Sequence, residues 1–211
     1  MADASGEKNG TSSRSSLKME QLLTAAANLM AREGYDHTSI RDVARESGFS
    51  LAGMYYYFQS KEDLLFKIQH RTFGSLLEEQ ERSCRGGGTA EEKLRRLIQN
   101  HLSFYTKHFN EMKICTFELQ SLSGERYREI EQLRRRYYKI AAEIVGEILD
   151  SADRPGGGET DIRHYTLFIF GMLNWIFSWF DPKRDAPVED LGDRLLNLAL
   201  YGLRGRDQSH T

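Results

Sequence analysis

Three consecutive tyrosines, Tyr55, Tyr56 and Tyr57, preceded by Ala52 and Gly53, carry the clearest chemical potential in this chain. Phenol hydroxyls donate to phosphate oxygens. A helix face that begins with Ala52 and Gly53 is short enough for its backbone to approach base edges, and the Ala52 methyl can meet a thymine methyl. Consecutive helical residues point about 100° apart, so the three tyrosines do not all face one way, and Tyr55 is the one expected to pack inward. A second group is aromatic with a few polar members: His101, Phe104, Tyr105 and His108, then Phe117, then Tyr137 and Tyr138. Such a set suits an apolar small-molecule cavity between helices, and equally suits plain core. A third group, Arg126, Arg128, Arg134, Arg135, Arg136 and Lys139 against Glu125, Glu129 and Glu131, is locally basic. It is either a solvated face or a source of forked donors for ligand phosphates. No GxSxG, P-loop, HExxH or dinucleotide fingerprint is present, so no enzyme is expected. His101 and His108 share a helix face without an evident third ligand, so neither a metal site nor a cofactor is expected.

These groups need positioning elements, and the apolar spacing supplies nine helices and no strand. Leu22, Ala25, Ala26, Leu29 and Met30 recur at helical spacing from Leu17 until Gly34-Tyr35. Thr38 and Ser39 are N-cap candidates for a short helix through Ile40, Val43 and Ala44. Gly48 breaks it with a positive torsion, and Phe49-Ser50 leads into a third helix from Leu51 to about Tyr57. Ile40, Val43, Ala44, Phe49, Met54 and Phe58 fall where they close both short helices on the first. Ser60 with Asp63 opens a helix to about Arg85. Thr89 to Glu92 is a capping box for a helix to about Phe109, and further helices span about 113–122, 125–149, 160–179 and 187–205. The fold class is all-α, divided into a disordered arm over 1–16, a three-helix module over 17–62, a helical domain over 63–205 and a flexible tail over 206–211.

Two short helices joined by a tight glycine turn and braced by a third describe a helix-turn-helix. The runs Thr38-Ser39-Ile40-Arg41-Asp42-Val43-Ala44, Gly48-Phe49-Ser50, Met54-Tyr55-Tyr56-Tyr57-Phe58 and Ser60-Lys61-Glu62-Asp63-Leu64-Leu65 resemble the TetR family of transcriptional regulators. The resemblance is nearly continuous from Leu17 to Leu65. It implies phosphate contacts from Thr38, one or two of the tyrosines and Lys61, and base contacts from the start of the third helix, Ser50, Leu51, Ala52 and Gly53. It also places Arg41 at a base-reading position, beside the cap residue Ser39. Leu51 departs from members with a polar or basic residue there, which leaves it an apolar contact. Charge is no guide: residues 1–61 hold seven basic against seven acidic side chains. Arg14 and Lys18 at the base of the arm either add DNA contacts or make none.

Near the C-terminus, Leu167, Gly171, Asn174 and Ser178 form a line of small or polar groups that permits close helix approach. Leu191, Leu195, Leu198 and Gly202 repeat the spacing on the last helix. Two helices with more than one apolar face point to a four-helix interface between two copies, the alternative being completion of the monomer core. The resemblance implies the dimer, whose symmetry would read a palindromic operator in double-stranded DNA. Phe170-Gly171-Met172-Leu173-Asn174-Trp175, with Trp179-Phe180-Asp181-Pro182 after it, resembles a subgroup of TetR regulators of fatty-acid and steroid catabolism that respond to acyl-CoA thioesters. That implies an acyl-CoA effector among His101, Phe104, Tyr105, His108, Phe117, Arg134, Tyr138, Phe168, Asn174 and Trp175. A drug or other hydrophobic ligand, and a helical scaffold without DNA, are the alternatives.

Composition sets the outer bounds. The 211 residues are 39% hydrophobic and 28% charged with a net charge of -2, ordinary for a globular chain. Two distant cysteines, Cys84 and Cys115, suggest a reduced, cytoplasmic setting. The apolar run Tyr165–Phe180 has 16 residues, short of the roughly 20 that span a bilayer, so no membrane partner is expected. No proline occurs before Pro155, which leaves long helices uninterrupted.

Overall fold

A computed structural model describes residues 8–151 and 158–202. The described residues form helices without any strand: α1 (Lys8–Glu33), α2 (Ile40–Ser47), α3 (Leu51–Tyr57), α4 (Lys61–Cys84), α5 (Ala90–Lys107), α6 (Phe109–Phe117), α7 (Gly124–Ser151), α8 (Glu159–Asn174) and α9 (Val188–Tyr201). Short 3-10 turns cover Leu119–Ser121 and Trp175–Ser178. The all-helical class read from the sequence is the class observed.

The chain divides into two compact units. The first holds the residues up to Thr72 together with Asn110–Ile130, and the second holds Phe73–Phe109 with Glu131 onward. Both α4 and α7 therefore contribute residues to each unit. In the first unit Leu22, Ala26 and Met30 of α1 bury against Ile40, Val43 and Ala44 of α2, Met54 of α3 and Phe58, with Leu64, Leu65 and Ile68 of α4 completing the core. The alternation of apolar residues at three and four positions places each set on one helix face. Phe49 is only half-buried.

In the second unit α5 packs along α9 and against α8. Gly192 permits the approach to α9, since a methyl there would lie 3.3 Å from Gln99 Cγ. Leu94, Leu97, Ile98 and Leu102 of α5, Ile144 and Val145 of α7, Ile169 and Leu173 of α8 and Leu196 of α9 are all buried in its core.

Three expectations are corrected. Helix α1 begins at Lys8, not at Leu17, so residues 8–16 are helical where an arm was expected; extending an existing helix fixes one residue per hydrogen bond gained and needs no new nucleus. Helix α8 does not run on to Trp179. It tightens after Asn174, where the Ser178 hydroxyl donates to the Trp175 carbonyl at 2.8 Å, just before Asp181-Pro182. The helix expected over 113–122 starts at Phe109 and ends at Phe117. Residues 1–7, the loop with Pro155 and the tail over 206–211 lie outside the described residues, as does the Arg14 side chain.

Candidate nucleic-acid interface and effector chamber

Local hydrogen bonding builds the α2–turn–α3 corner. Ser39 Oγ accepts from the Asp42 amide at 3.2 Å and donates to Asp42 Oδ2 at 2.5 Å, while the Asp42 carboxylate also accepts from the Ser39 amide at 3.1 Å. Hydrogen bonds from Ser39, then from Arg45, hold the Asp42 carboxyl below its usual range. Gly48 ends α2 at φ 71°, a torsion that favours glycine, and its amide caps the carbonyls of Ala44 and Arg45. Ser50 opens α3 by accepting from the Gly53 amide at 3.0 Å. The serines expected at DNA thus also serve as helix caps.

Helix α3 has an open side made of Ala52, Tyr55 and Tyr56, the tyrosines 55% and 80% exposed. Leu51 and Gly53 are partly covered. The inward tyrosine is Tyr57, not Tyr55. Its ring meets Tyr56 edge-on at 5.0 Å and lies 6.2 Å from Phe58, because position 57 follows the buried Met54 by one helical step of three. Thr38, Ser39, Arg41, Tyr55 and Lys61 line one shallow depression together with Asp36, His37 and Ile40. Five of the residues expected at DNA thus share one depression. Two of them are partly committed elsewhere. Thr38 is buried and donates to the Gly34 carbonyl at 2.9 Å. Lys61 Nζ donates to the carbonyls of Tyr35 at 3.0 Å and Asp36 at 3.3 Å, and sits 4.2 Å from the centre of the Tyr35 ring.

A charged network that no sequence motif announced anchors this module. The buried Asp63 carboxylate accepts from the Gln59 amide at 3.1 Å, Lys67 Nζ at 3.0 Å and the Arg126 guanidinium at 3.2 Å. Lys67 also donates to the Tyr57 carbonyl at 2.7 Å, the last turn of α3. The neighbouring Glu62 accepts from the Ser123 hydroxyl and amide, each at 2.8 Å, and these bonds hold its carboxyl below the usual range.

In the second unit α5, α7 and α8 converge on an aromatic cluster. His101 is 2% exposed, its Nδ1 lies 3.1 Å from the Tyr137 hydroxyl, and Tyr105, Tyr137 and Phe170 ring it at 6.1, 5.9 and 6.4 Å between centroids. Tyr138 adjoins Phe170, and Phe73 meets Tyr137 edge-on at 5.8 Å. Burial pushes the His101 imidazolium down to about 4, opposed by the nearby Asn174, and pushes the Tyr137 phenol up. Beside it in sequence the buried Gln80 is paired: Asn100 Nδ2 donates to Gln80 Oε1 at 3.0 Å, and Gln80 Nε2 donates to Cys84 Sγ at 3.4 Å.

Of the residues expected at an effector, His101, Tyr105 and Tyr138 belong to this cluster, with Asn174 beside His101. Arg134 lies 5.8 Å from the Phe73 ring, and Phe104 is buried but stacks on the exposed His108 at 4.5 Å. The others lie elsewhere: Phe117 belongs to the first unit, while Phe168 and Trp175 are 63% and 59% exposed. Position 168 lies on a different side of α8 from the buried Ile169 and Leu173, and Trp175 belongs to the 3-10 turn that follows α8. Several of the basic side chains on α7 already face carboxylates: Arg135 with Glu131 at 3.0 Å, Arg136 with Glu81 at 2.6 Å and Lys139 with Glu143 at 3.7 Å.

The expected subunit face is open in the single chain. Leu167 and Leu198 are exposed, and a methyl on Gly171 would meet nothing within 4 Å. Gly171, Leu191, Leu195 and Leu198 line an apolar groove with Trp175 and Trp179. Beside it a cleft of about 290 Å³ runs between Tyr165, Phe168, Val145 and Leu198. Gly202 instead caps α9, its amide donating to the Leu198 carbonyl at 3.0 Å. Asn174 and Ser178, expected on the same face, are not among the residues that line the groove and are half-buried and exposed respectively. Among the described residues no helix is long and apolar enough to cross a membrane.

A helix-turn-helix with an open tyrosine face, followed by a helical unit with an aromatic interior, defines the class of helix-turn-helix DNA-binding regulators. Residues 22–68 match the bacterial regulatory proteins of the tetR family, and residues 87–203 match the tetracyclin repressor-like C-terminal domain. The chain belongs to the TetR family of transcriptional regulators. It is 25% identical to the fatty acid metabolism regulator protein of Bacillus subtilis, over 90% of this chain and 97% of that one. Among solved structures it resembles FadR from Bacillus subtilis in complex with stearoyl-CoA, at TM-score 0.70 and 25% identity over 87% of this chain and 98% of that one. It also resembles AibR in complex with isovaleryl coenzyme A and operator DNA, at TM-score 0.76 and 25% identity over 86% and 97% of the two chains. The relatives are regulators, not enzymes.

Proposed function

We propose that the protein is a homodimeric cytoplasmic repressor released from a palindromic operator by an acyl-CoA. Residues 17–62 read DNA and residues 63–205 bind the effector and the second copy. The aromatic cluster around His101 carries this reading: apolar rings with few polar groups suit an acyl chain, and two structurally similar regulators were crystallised with acyl-CoA thioesters.

The exposed α8–α9 face, Leu167, Gly171 and Leu198 with the groove between them, supports a symmetric pairing. One α3 reads too few base pairs alone, and a two-fold dimer presents two recognition helices to half-sites about 34 Å apart or a multiple of that. Helix α4 is the lever, since it starts beside the Tyr35–Lys61 contact and continues into the unit that holds the chamber. Release requires the ligand to favour the conformer with the wrong helix separation; equal affinity for both conformers would shift nothing. Calorimetry with palmitoyl-CoA, palmitate and CoA separately, paired with operator anisotropy, tests this. Heat and DNA release confined to the thioester support it, whereas a response to none of the three refutes the effector class.

A further inference from the structure

Helix α1 stops before Gly34, whose φ of 89° turns the chain, and Tyr35 to Thr38 form the turn that leads to Ser39, the cap of α2. The Tyr35 carbonyl closes that turn by accepting from the Thr38 amide at 3.1 Å. Lys61, the first residue of α4, reaches the same turn from outside it. Its ammonium donates to the Tyr35 carbonyl at 3.0 Å and to the Asp36 carbonyl at 3.3 Å, and lies 4.2 Å from the centre of the buried Tyr35 ring. An ammonium has three donors, and two of these are directed at the turn, with an aromatic face beside them. Farther along α4, Lys67 repeats the arrangement at the other end of the reader, donating to the Tyr57 carbonyl at 2.7 Å and sitting 5.2 Å from the Phe58 ring. Main-chain carbonyls before α2 and in the last turn of α3 are thus each held by a lysine of α4.

We propose that Lys61 is a positioning residue for DNA reading: it tethers the turn before α2 to the start of α4 and makes no phosphate contact of its own. The family resemblance gives this lysine to a phosphate, whereas the geometry gives it to the carbonyls of Tyr35 and Asp36. A phosphate would have to draw the ammonium off acceptors that it already holds. Withdrawing it would free two carbonyls of the turn that carries Thr38 and Ser39, and so unsettle residues placed at the DNA. With Lys67 at the far end, Lys61 fixes where α2 and α3 stand on α4. This assignment rests on the reading of residues 17–62 as the DNA reader and requires no effector.

Salt separates the two roles, because a lysine on a phosphate releases a counterion when it binds and a lysine on a carbonyl does not. The experiment measures affinity for the palindromic duplex selected from random DNA, by fluorescence anisotropy between about 50 and 200 mM salt, for the wild-type chain, Lys61→Met and Lys61→Arg. Positioning predicts that Lys61→Met binds about tenfold more weakly at every salt concentration with the wild-type slope. Lys61→Arg, which keeps the charge and the donors, should recover part of that loss. A slope for Lys61→Met shallower by about 0.9 makes Lys61 a phosphate contact and overturns the proposal. Unchanged affinity of the folded methionine variant overturns it as well, since the tether would then set nothing that the DNA reads. If Lys61→Met folds poorly, the ammonium signals of isotope-labelled lysine in the wild-type chain, assigned with Lys61→Arg, decide the matter. A Lys61 signal that keeps its position when duplex is added supports the tether, and scalar coupling of its nitrogen to a phosphorus of the duplex overturns it. Failure of the wild-type chain to select or bind any duplex overturns the reading of residues 17–62 and this assignment together.

Discussion

Replacing Asp63 with alanine removes the acceptor shared by the Gln59 amide, Lys67 Nζ and the Arg126 guanidinium. Hydrogen bonds to charged groups contribute about 1.5–3 kcal/mol each when buried, and lost caps about 1 kcal/mol. The Asp63 side chain is 8% exposed, but those of Lys67 and Arg126 are 35% and 32% exposed, so water compensates much of what they lose. The expected loss is therefore about 2–3 kcal/mol, seen as a lower urea midpoint followed by circular dichroism. Asparagine keeps an acceptor for the Gln59 amide and should lose about half as much. A double-mutant cycle with Arg126→Ala should return a coupling near 1 kcal/mol. Because Lys67 also holds the Tyr57 carbonyl, freeing it loosens the end of α3, and Asp63→Ala should weaken operator binding several-fold beyond any unfolded fraction. A destabilisation under about 0.5 kcal/mol with unchanged DNA affinity would refute the anchoring role.

Further outcomes follow from the same geometry. His101 has a folded-state value of about 4 against about 6.5 unfolded, so the folded chain binds fewer protons; the stability this gives is whole above pH 6.5 and is lost as pH falls toward 4, about 3 kcal/mol in all. His101→Leu should be less sensitive to acid over that window, measured as melting temperature at pH 7 and 4.5, and equal sensitivity would contradict the buried neutral ring. Tyr56→Phe should weaken operator binding about threefold or more through one lost phosphate bond, with Tyr57→Phe nearly silent in fluorescence anisotropy; the reverse order would overturn the orientation of α3. Leu198→Asp should convert the dimer to monomer in sedimentation and abolish tight operator binding, and a stable dimer would displace the α8–α9 face from that role.

What could be read in the sequence was what is set locally. Ser39 with Asp42, Gly48, and Thr89 with Glu92 each complete a cap within three or four residues, so the α2–turn–α3 corner and the start of α5 were legible. The buried stripe Leu22, Ala26 and Met30 follows directly from helical period. The Asp63–Arg126 contact joins residues 63 positions apart and left no periodic trace. Tyr57, not Tyr55, turns inward because the buried Met54 sets the phase of α3, a distinction of two residues, about 200° around the helix. Phe168 and Trp175, expected at the effector from the family resemblance, are exposed in the single chain, a placement set by the burial of Ile169 and Leu173 and not by their own character. The buried contact of His101 with Tyr137 joins α5 to α7, which no spacing within α5 reveals.

The central claim, a DNA-binding repressor relieved by an acyl-CoA, is tested most directly by selecting bound sequences from random duplex DNA with and without palmitoyl-CoA. The account predicts an enriched palindrome whose recovery collapses when the thioester is present and persists with palmitate or CoA alone. Enrichment of no palindrome, or equal enrichment with and without palmitoyl-CoA, would contradict it.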